Sequence, residues 1–377
     1  MLSGRRRPSI PPWAPAVAAT LLVLGVYIGE AVLVAGPDTA FQRLGNWDGA
    51  WYLSIVNRWY YLRPPGQQQP ENFLPLFPGA VRLLHDALPF LSEALVAVLL
   101  NVAATCGAMV LVDRAVHTWP LRHRLGLVVL LVMLPAAFFY VAVYTEALFI
   151  LGVALTLFGV MRSKRWAAAA GAAVATYDRV LGIILVLPVA WIWWRRGRRK
   201  SELAPAALAL VGLLGLLLTY GIAVGDPLAF VRAQHGWPDH PFTMGAGPAI
   251  RSIVDEMLLR NGSHLVPAPL LKGPDLASFA GLWEALAVGV LALYVLWKWE
   301  WRSLALTGVL LWLATVVTGG LHSQLRYQLV LLPVWVGAVA VLRSSRRART
   351  AWVIVAVCSF ALNLFMLDRF VIGYWVS

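Results

Sequence analysis

Charged side chains, and acids above all, are scarce in this sequence. Asp and Glu together number 18 among 377 residues, against 31 Lys and Arg, and charged residues make up 13% of the chain. A soluble domain carries about 25% charged residues. The shortage argues against an ordinary water-soluble protein and indicates that lipid is the solvent for much of the chain.

Residues for metal or thiol chemistry are scarce as well. The two cysteines, Cys106 and Cys358, lie inside apolar runs and provide neither a disulfide framework nor a metal-ligand spacing. The sequence contains no HExxH and no DxD motif. We therefore expect no cofactor and no divalent metal.

Apolar residues are what the chain has in abundance. They make up 60% of it, in runs of the length that spans a bilayer as a helix, and the runs lack the alternation of a β-barrel strand. The sequence predicts an all-α integral membrane protein with one polytopic domain over residues 1–377. The predicted spans, eleven in number, are 14–35, 93–112, 125–141, 146–161, 166–177, 180–194, 204–224, 277–297, 303–320, 328–342 and 351–371.

The basic residues set the predicted orientation. Most of them lie in short clusters in every second loop, such as 4–7, 162–165 and 195–200. Loops enriched in Lys and Arg stay in the cytoplasm, so the N-terminus is predicted inside, with 14–35 an uncleaved signal anchor, and the C-terminus outside. The basic clusters could instead form a patch that binds lipid headgroups or nucleic acid, but such a patch would not need to alternate with apolar runs. We therefore expect membrane lipids as partners and no nucleic acid.

Two long loops, about 36–92 and 225–276, then face outwards and form the predicted active-site face. Function concentrates in long loops on a rigid scaffold. Within the first loop, the spacing of Trp47, Trp51 and Trp59 predicts a helix over 47–59 that lies in the membrane interface.

Asp48 is the one acid in this aromatic stretch, NWDGAWYLSIVNRWYY, and it admits two interpretations. It could cap the helix within an aromatic girdle. It could instead be a catalytic base beside aromatic rings that hold a sugar. A glycosidase needs a second carboxylate, whereas transfer from a sugar phosphate needs one base and cations for the leaving phosphate.

Several basic residues could serve that phosphate, because the Arg fork binds two oxygens at once. The candidates are Arg326, Arg179 and Arg232. Arg326 could also be an interfacial anchor, and Arg179 could pair with Asp178. The further candidates for substrate binding are Trp47, Trp51, Tyr52, Glu146, Gln234, His235, Trp237 and Tyr327, although Glu146 also suits a helix first turn.

Six segments in order resemble the PIG-V family, which comprises the second mannosyltransferase of GPI-anchor synthesis and its bacterial relatives, within the GT-C superfamily. They are NWDGAWY (46–52), FLPLFPGAVRLL (73–84), PAAFFYVAVYTEALF (135–149), DRVLGIILVLP (178–188), GDPLAFVRAQHGW (225–237) and LRYQLVLLPVWV (325–336). The resemblance implies a GT-C-like bundle and an inverting transfer of mannose from a polyprenyl- or dolichyl-phosphate donor to a lipid or glycolipid acceptor.

The family pattern places the base at Asp48, the Arg of its R-Y motif at Arg326, and its G-D-P region at 234–237. One departure concerns Arg179, since Tyr177 and Asp178 separate it from Thr176 where the family has Thr-Arg.

The composition suggests a bacterial plasma membrane with an extracytoplasmic site, or the ER membrane in a eukaryote. There are two alternatives to a mannosyltransferase. The protein could transfer another sugar from a polyprenyl phosphate, or it could be a flippase for lipid-linked sugars.

Overall fold

The computed structural model describes residues 11–61, 63–64, 67–195, 203–236, 274–319 and 323–376. This part of the chain is helical and contains no β-strand. The α-helices are α1 Ala14–Ala35, α2 Ala40–Arg43, α3 Asp48–Arg58, α4 Leu76–Ala87, α5 Glu93–Ala115, α6 Leu121–Met133, α7 Glu146–Met161, α8 Arg165–Asp178, α9 Val186–Arg195, α10 Leu203–Val224, α11 Ala229–Arg232, α12 Pro274–Lys298, α13 Arg302–Gly319, α14 Gln324–Tyr327, α15 Leu332–Leu342 and α16 Arg346–Val371. Short 3-10 helices cover Pro70–Asn72, Ala137–Tyr140, Val180–Leu185, Ala233–Gly236 and Gln328–Val330.

Fewer of these helices could cross a membrane than the sequence predicts. Five described helices are long and apolar enough: Ala14–Ala35, Glu93–Ala115, Ala204–Val224, Gly281–Lys298 and Arg346–Val371. Gln324–Val330 and Leu332–Leu342 make a sixth if they form one span, although they meet at an angle of 71°. The predicted count of eleven is therefore not confirmed. The apolar helices at Glu146–Met161, Val180–Arg195 and Arg302–Val317 are shorter than the roughly 20 residues that a span needs.

The predicted span 125–141 is broken in the structure. Helix α6 ends at Met133, Ala136 adopts a left-handed conformation, and a 3-10 turn follows at Ala137–Tyr140. The stretch from Leu134 to Thr145 is buried except for Pro135, which is partly exposed. Apolar composition alone did not reveal this break, because the irregular segment is as hydrophobic as a helix and lies inside the protein.

Helices α7 and α8 pack at close range through small residues. A Cβ atom placed on Gly159 would lie 2.2 Å from the Ala168 backbone nitrogen, and one on Gly171 would lie 2.5 Å from the Thr156 nitrogen. No side chain fits in those gaps, so glycine is required at both positions. Such small-residue contacts are a common way for helices to associate in membranes.

The first loop, 36–92, carries helices α2, α3 and α4. Helix α3 spans Asp48–Arg58, which confirms the predicted helix over 47–59 to within a residue at each end. Helix α4 buries Phe77, Pro78 and Val81 and exposes Leu83 and Leu84. The helices of this loop therefore form a layer that packs against the helical bundle.

Candidate active site

Two unusual backbone positions set the direction of α3. Trp47 immediately before the helix has φ 59°, and Trp59 immediately after it has φ 60°. Residues other than glycine rarely adopt a positive φ of this size, and each residue held there costs about 1–3 kcal/mol of folding free energy. The turn at Trp47 is held in place because the Asn46 side chain donates to the Phe370 carbonyl at 2.8 Å and the Tyr144 hydroxyl donates to the Asn46 carbonyl at 3.0 Å. The first residue of α3 is Asp48, so this turn fixes where its carboxylate points.

Two buried asparagines support the irregular segment 134–145 opposite Asp48. Asn101 of α5 donates to the carbonyls of Ala142 at 2.5 Å and Tyr144 at 2.9 Å. Asn363 of α16 donates to the Leu134 carbonyl at 2.7 Å and accepts from the Phe138 nitrogen at 3.2 Å. Backbone that leaves a helix inside the bundle needs such partners. These bonds hold the end of the segment, where α7 begins at Glu146.

Arg326 connects these two parts of the molecule. Its Nη1 donates to Asp48 Oδ2 at 2.9 Å, and its Nε lies 3.5 Å from Glu146 Oε1. The Arg326 side chain is 6% exposed and Glu146 is fully buried, whereas the Asp48 side chain keeps 20% of its surface exposed. Asp48 is therefore the accessible carboxylate of the group.

Arg179 completes the group from the other side. It follows the last residue of α8 in an extended conformation, donates from Nε to Thr145 Oγ1 at 2.7 Å, and forms an ion pair with Glu146. Two guanidinium groups thus share Glu146 between them. We call Asp48, Glu146, Arg179 and Arg326 the charge cluster.

Aromatic rings enclose the cluster. The guanidinium carbon of Arg326 lies 5.2 Å from the ring centre of Tyr144, 5.3 Å from Tyr327 and 5.4 Å from Phe139. Tyr327 also lies 5.9 Å from the Arg179 guanidinium. Rings at this range attract cations and exclude water, so the ion pairs of the cluster act in a medium of low dielectric constant.

The geometry bears on the alternative interpretations of four residues. The start of α3 shows no side-chain capping hydrogen bond, and Asp48 bonds to Arg326 instead. Arg326 is buried and paired, unlike an interfacial anchor. Arg179 pairs with Glu146, not with Asp178. Glu146 begins α7 and also joins the cluster, so its two interpretations coexist.

The contacts of several other predicted site residues are with residues outside the charge cluster. Arg232 pairs with Asp226 at 2.9 Å, and its side chain is 70% exposed. Trp51 stacks on Phe73 with ring centres 5.6 Å apart, and the exposed Trp47 meets Trp375 edge-on. His235 lies in the 3-10 helix Ala233–Gly236, and Trp237 is outside the described residues.

Gln234 joins the two predicted outer loops. Its amide donates to Asn72 Oδ1 at 2.8 Å, and the Asn72 amide donates to the Ala233 carbonyl at 3.1 Å. The Tyr220 hydroxyl donates to the Glu71 carbonyl at 3.0 Å in the same region. Gln234 therefore has a structural role in the described contacts, and its predicted role in substrate binding stays a prediction.

All four members of the cluster were predicted from the sequence, but several of its neighbours were not. Phe139, Tyr144 and Thr145 contact it directly but look like ordinary apolar or polar residues in the sequence. Asp178 is buried at the end of α8 and makes no hydrogen bond in the described structure. Glu71 is also buried without a hydrogen bond to its carboxyl, and burial raises the pKa of that group. The signal for Asp178 was present, since an acid inside an apolar helix marks a functional candidate.

The described residues contain no group of three His, Cys, Asp or Glu side chains arranged to hold a metal ion. Two of the acids near the cluster, Asp48 and Glu146, bond to guanidinium groups. The arrangement is suited to binding an anion next to an exposed carboxylate, because each guanidinium has donors beyond those it uses here.

Comparison with known proteins gives distant structural likenesses only. No protein-family model matches the chain, and no curated protein sequence matches it. Among solved structures, an Archaeoglobus fulgidus oligosaccharyltransferase complex with Zn and sulfate aligns with 12% identity and a TM-score of 0.49, over 97% of this chain and 53% of that one. The Archaeoglobus fulgidus oligosaccharyltransferase AglB, in complex with an inhibitory peptide and a dolichol-phosphate, aligns with 10% identity and a TM-score of 0.46, over 95% of this chain and 56% of that one. The chain thus spans about half the length of these proteins.

Proposed function

We propose that the protein is an integral membrane glycosyltransferase that moves mannose, with inversion, from a polyprenyl- or dolichyl-phosphate donor to a lipid or glycolipid acceptor. The observation that carries the reaction type is the charge cluster. In it an accessible carboxylate lies 2.9 Å from the buried guanidinium group of Arg326, with the partly buried Arg179 as a second cation. The choice of mannose rests on the sequence resemblance. An extracytoplasmic site follows from the predicted orientation of the basic loops.

The proposed reaction is a single displacement. Asp48 takes the proton from the acceptor hydroxyl as that oxygen attacks the anomeric carbon. The bond from this carbon to the phosphate oxygen breaks, and its electron pair leaves with the polyprenyl phosphate. A base in this role contributes about 10²–10⁴-fold to the rate.

The charges of the cluster suit this sequence of events. Before reaction, two arginines balance Asp48 and Glu146, and the donor phosphodiester brings one negative charge. As Asp48 accepts the proton, its negative charge disappears while the leaving phosphate gains one. Arg326 bonds to Asp48 in the resting protein and can follow the charge to the phosphate without leaving the site. Fixed donors aimed at a developing charge are an effective form of catalysis.

The direct test uses the purified full-length protein in lipid nanodiscs with radiolabelled polyprenyl-phosphate mannose. We expect release of polyprenyl phosphate that increases when a lipid acceptor is added, and label that appears in a new glycolipid. A flippase would move the donor across the bilayer with its sugar-phosphate bond intact. Donor that stays intact with every acceptor lipid tested would contradict the proposal.

Arg179 is expected to bind the donor phosphate. Replacing it by Ala removes a charged donor, a change worth about 1.5–3 kcal/mol, so the KM for the donor should rise about 10- to 150-fold. The exposed Arg43 has no ion partner in the described structure and serves as the matched control. Equal, small effects of Arg179→Ala and Arg43→Ala on the donor KM would show that Arg179 has only a structural role.

Activity is expected to survive EDTA. The described residues offer no three-ligand metal group, and Asp48 and Glu146 already bond to arginines. The measurement is the initial transfer rate before and after chelation, with added Mg²⁺ or Mn²⁺ as the comparison. A loss of rate that either ion restores would mean that Asp48 holds a cation instead of acting as a base alone.

A further inference from the structure

A groove of about 650 Å³ lies on the surface where the end of α3, helix α4 and the end of α8 meet. Its lining is apolar or aromatic, from Trp59, Leu76, Ala80, Leu83 and Tyr177, with Arg82 as the one charged residue. Leu83 beside it is 73% exposed, and the neighbouring Leu84 is also exposed. An apolar groove flanked by exposed leucines, on a chain rich in apolar helices, opens towards lipid.

The groove is preformed. The Tyr177 ring is fixed because its hydroxyl bonds to Thr219 Oγ1 at 2.9 Å and because its face lies over Gly215 of α10. Trp59 packs edge-on against Tyr60 with ring centres 5.2 Å apart. Gly79 of α4 leaves open the space next to Trp59, since a Cβ there would lie 3.5 Å from the indole ring.

Arg82 places a positive charge at one edge of the groove. The side chain is exposed and forms no ion pair with any described residue. A cation at the edge of an apolar groove matches a molecule with a hydrocarbon chain and an anionic head. Anionic phospholipids of the bilayer have this chemistry, and basic side chains near the membrane surface attract them.

None of the four residues of the charge cluster lines the groove. Asp48 is the first residue of α3 and Trp59 follows its last residue, so Trp59 lies about 16 Å from Asp48 along a helix of 11 residues. The other side of the groove is nearer to the cluster, because Tyr177 lies two residues before Arg179.

We propose that this groove binds one anionic glycerophospholipid of the bilayer, with an acyl chain along Trp59, Leu76 and Tyr177 and the phosphate at Arg82. The lipid fills the gap between α4 and α8 and so holds the first loop against the bundle. Its lining shares no residue with the charge cluster, and the bound phospholipid is not consumed in the reaction.

The test uses the full-length protein in phosphatidylcholine nanodiscs that contain a small fraction of a phospholipid with a photoreactive acyl chain, carrying either a phosphatidylglycerol or a phosphatidylcholine head. Labelled peptides are identified by mass spectrometry. We expect phosphatidylglycerol to label residues 75–83 and Tyr177 preferentially. Arg82→Gln should reduce that preference about two- to fivefold, the range of an exposed ion pair.

Two further variants separate the groove from the general lipid surface. Gly79→Trp, or the milder Ala80→Phe, fills the groove and should remove labelling at Tyr177 with either headgroup. Leu84→Trp adds the same bulk outside the groove, and Arg43→Gln removes a charge elsewhere; both should leave labelling unchanged. Equal labelling by the two headgroups, or labelling at Tyr177 that persists in both groove-filling variants, would overturn the proposal. Because lipid labelling needs no turnover, the result stands whether or not the transfer reaction is found.

Discussion

Replacement of Asp48 by Asn is expected to lower the transfer rate by about 10²–10⁴, the usual contribution of a general base, while the protein remains folded. Asn keeps the shape of the side chain, is as good as Asp at a helix start, and can still accept a hydrogen bond from Arg326. It cannot take a proton from the acceptor. The measurement is the turnover of labelled donor at saturating acceptor, together with thermal unfolding of both proteins.

A second acid–arginine pair provides the control. Asp226 bonds to the exposed Arg232 at 2.9 Å in the segment before α11, so Asp226→Asn also removes one carboxylate from an arginine. It should change the rate little. Asp48→Glu, which moves the base by one methylene, should also fail. A well-folded Asp48→Asn protein that turns over donor at close to the wild-type rate would show that Asp48 is not the base.

Replacement of Arg326 by Ala is expected to have the largest effect on stability. It leaves the half-buried Asp48 without its ion partner and the buried Glu146 with Arg179 alone. Removal of one member of a buried ion pair costs about 3–5 kcal/mol, which is a large part of the stability of a typical domain. We expect a lower unfolding temperature and no measurable transfer.

Two variants separate the structural effect from the catalytic one. Arg326→Lys keeps the charge, but its single ammonium group cannot contact both Asp48 and Glu146 as the planar guanidinium group does. The variant should therefore fold well but transfer the sugar slowly, with a raised KM for the donor. Arg326→Met combined with Asp48→Asn removes both members of one pair, and should regain much of the lost stability without regaining activity. If Arg326→Lys transfers at the wild-type rate with an unchanged donor KM, the arginine is not part of the phosphate site.

Local features of this fold were predictable from the sequence, and long-range pairings were not. Helix α3 follows from the spacing of its tryptophans, and the break after Asp178 follows from the TYDR sequence between two apolar runs. Asp48 and Arg326 are 278 residues apart in the chain. Periodicity reports which face of one helix is apolar and says nothing about which loops meet, so their ion pair could only be seen in the structure.

The predicted count of eleven spans was not confirmed for a related reason. A short apolar helix enclosed by protein and one that crosses lipid have similar composition. In α7, 12 of the 16 residues are buried inside the protein, so most of its hydrophobicity reflects contacts with the rest of the protein. The same limit applies to Arg179, whose sequence neighbour Asp178 was the obvious partner, whereas the turn after α8 directs it to Glu146.

The tight contact between α7 and α8 has a consequence for motion during turnover. Arg179 and Glu146 sit at the ends of two helices whose glycines leave no space for sliding or rotation. The half of the site that Arg179 and Glu146 form is therefore rigid. Any opening to admit a lipid-linked sugar has to come from the other half, the turn at Trp47 and the bent segment around Arg326. Amide hydrogen exchange should accordingly be slow in Gly152–Gly159 and Ala168–Ala175, and faster at the start of α3 and in Gln324–Val330.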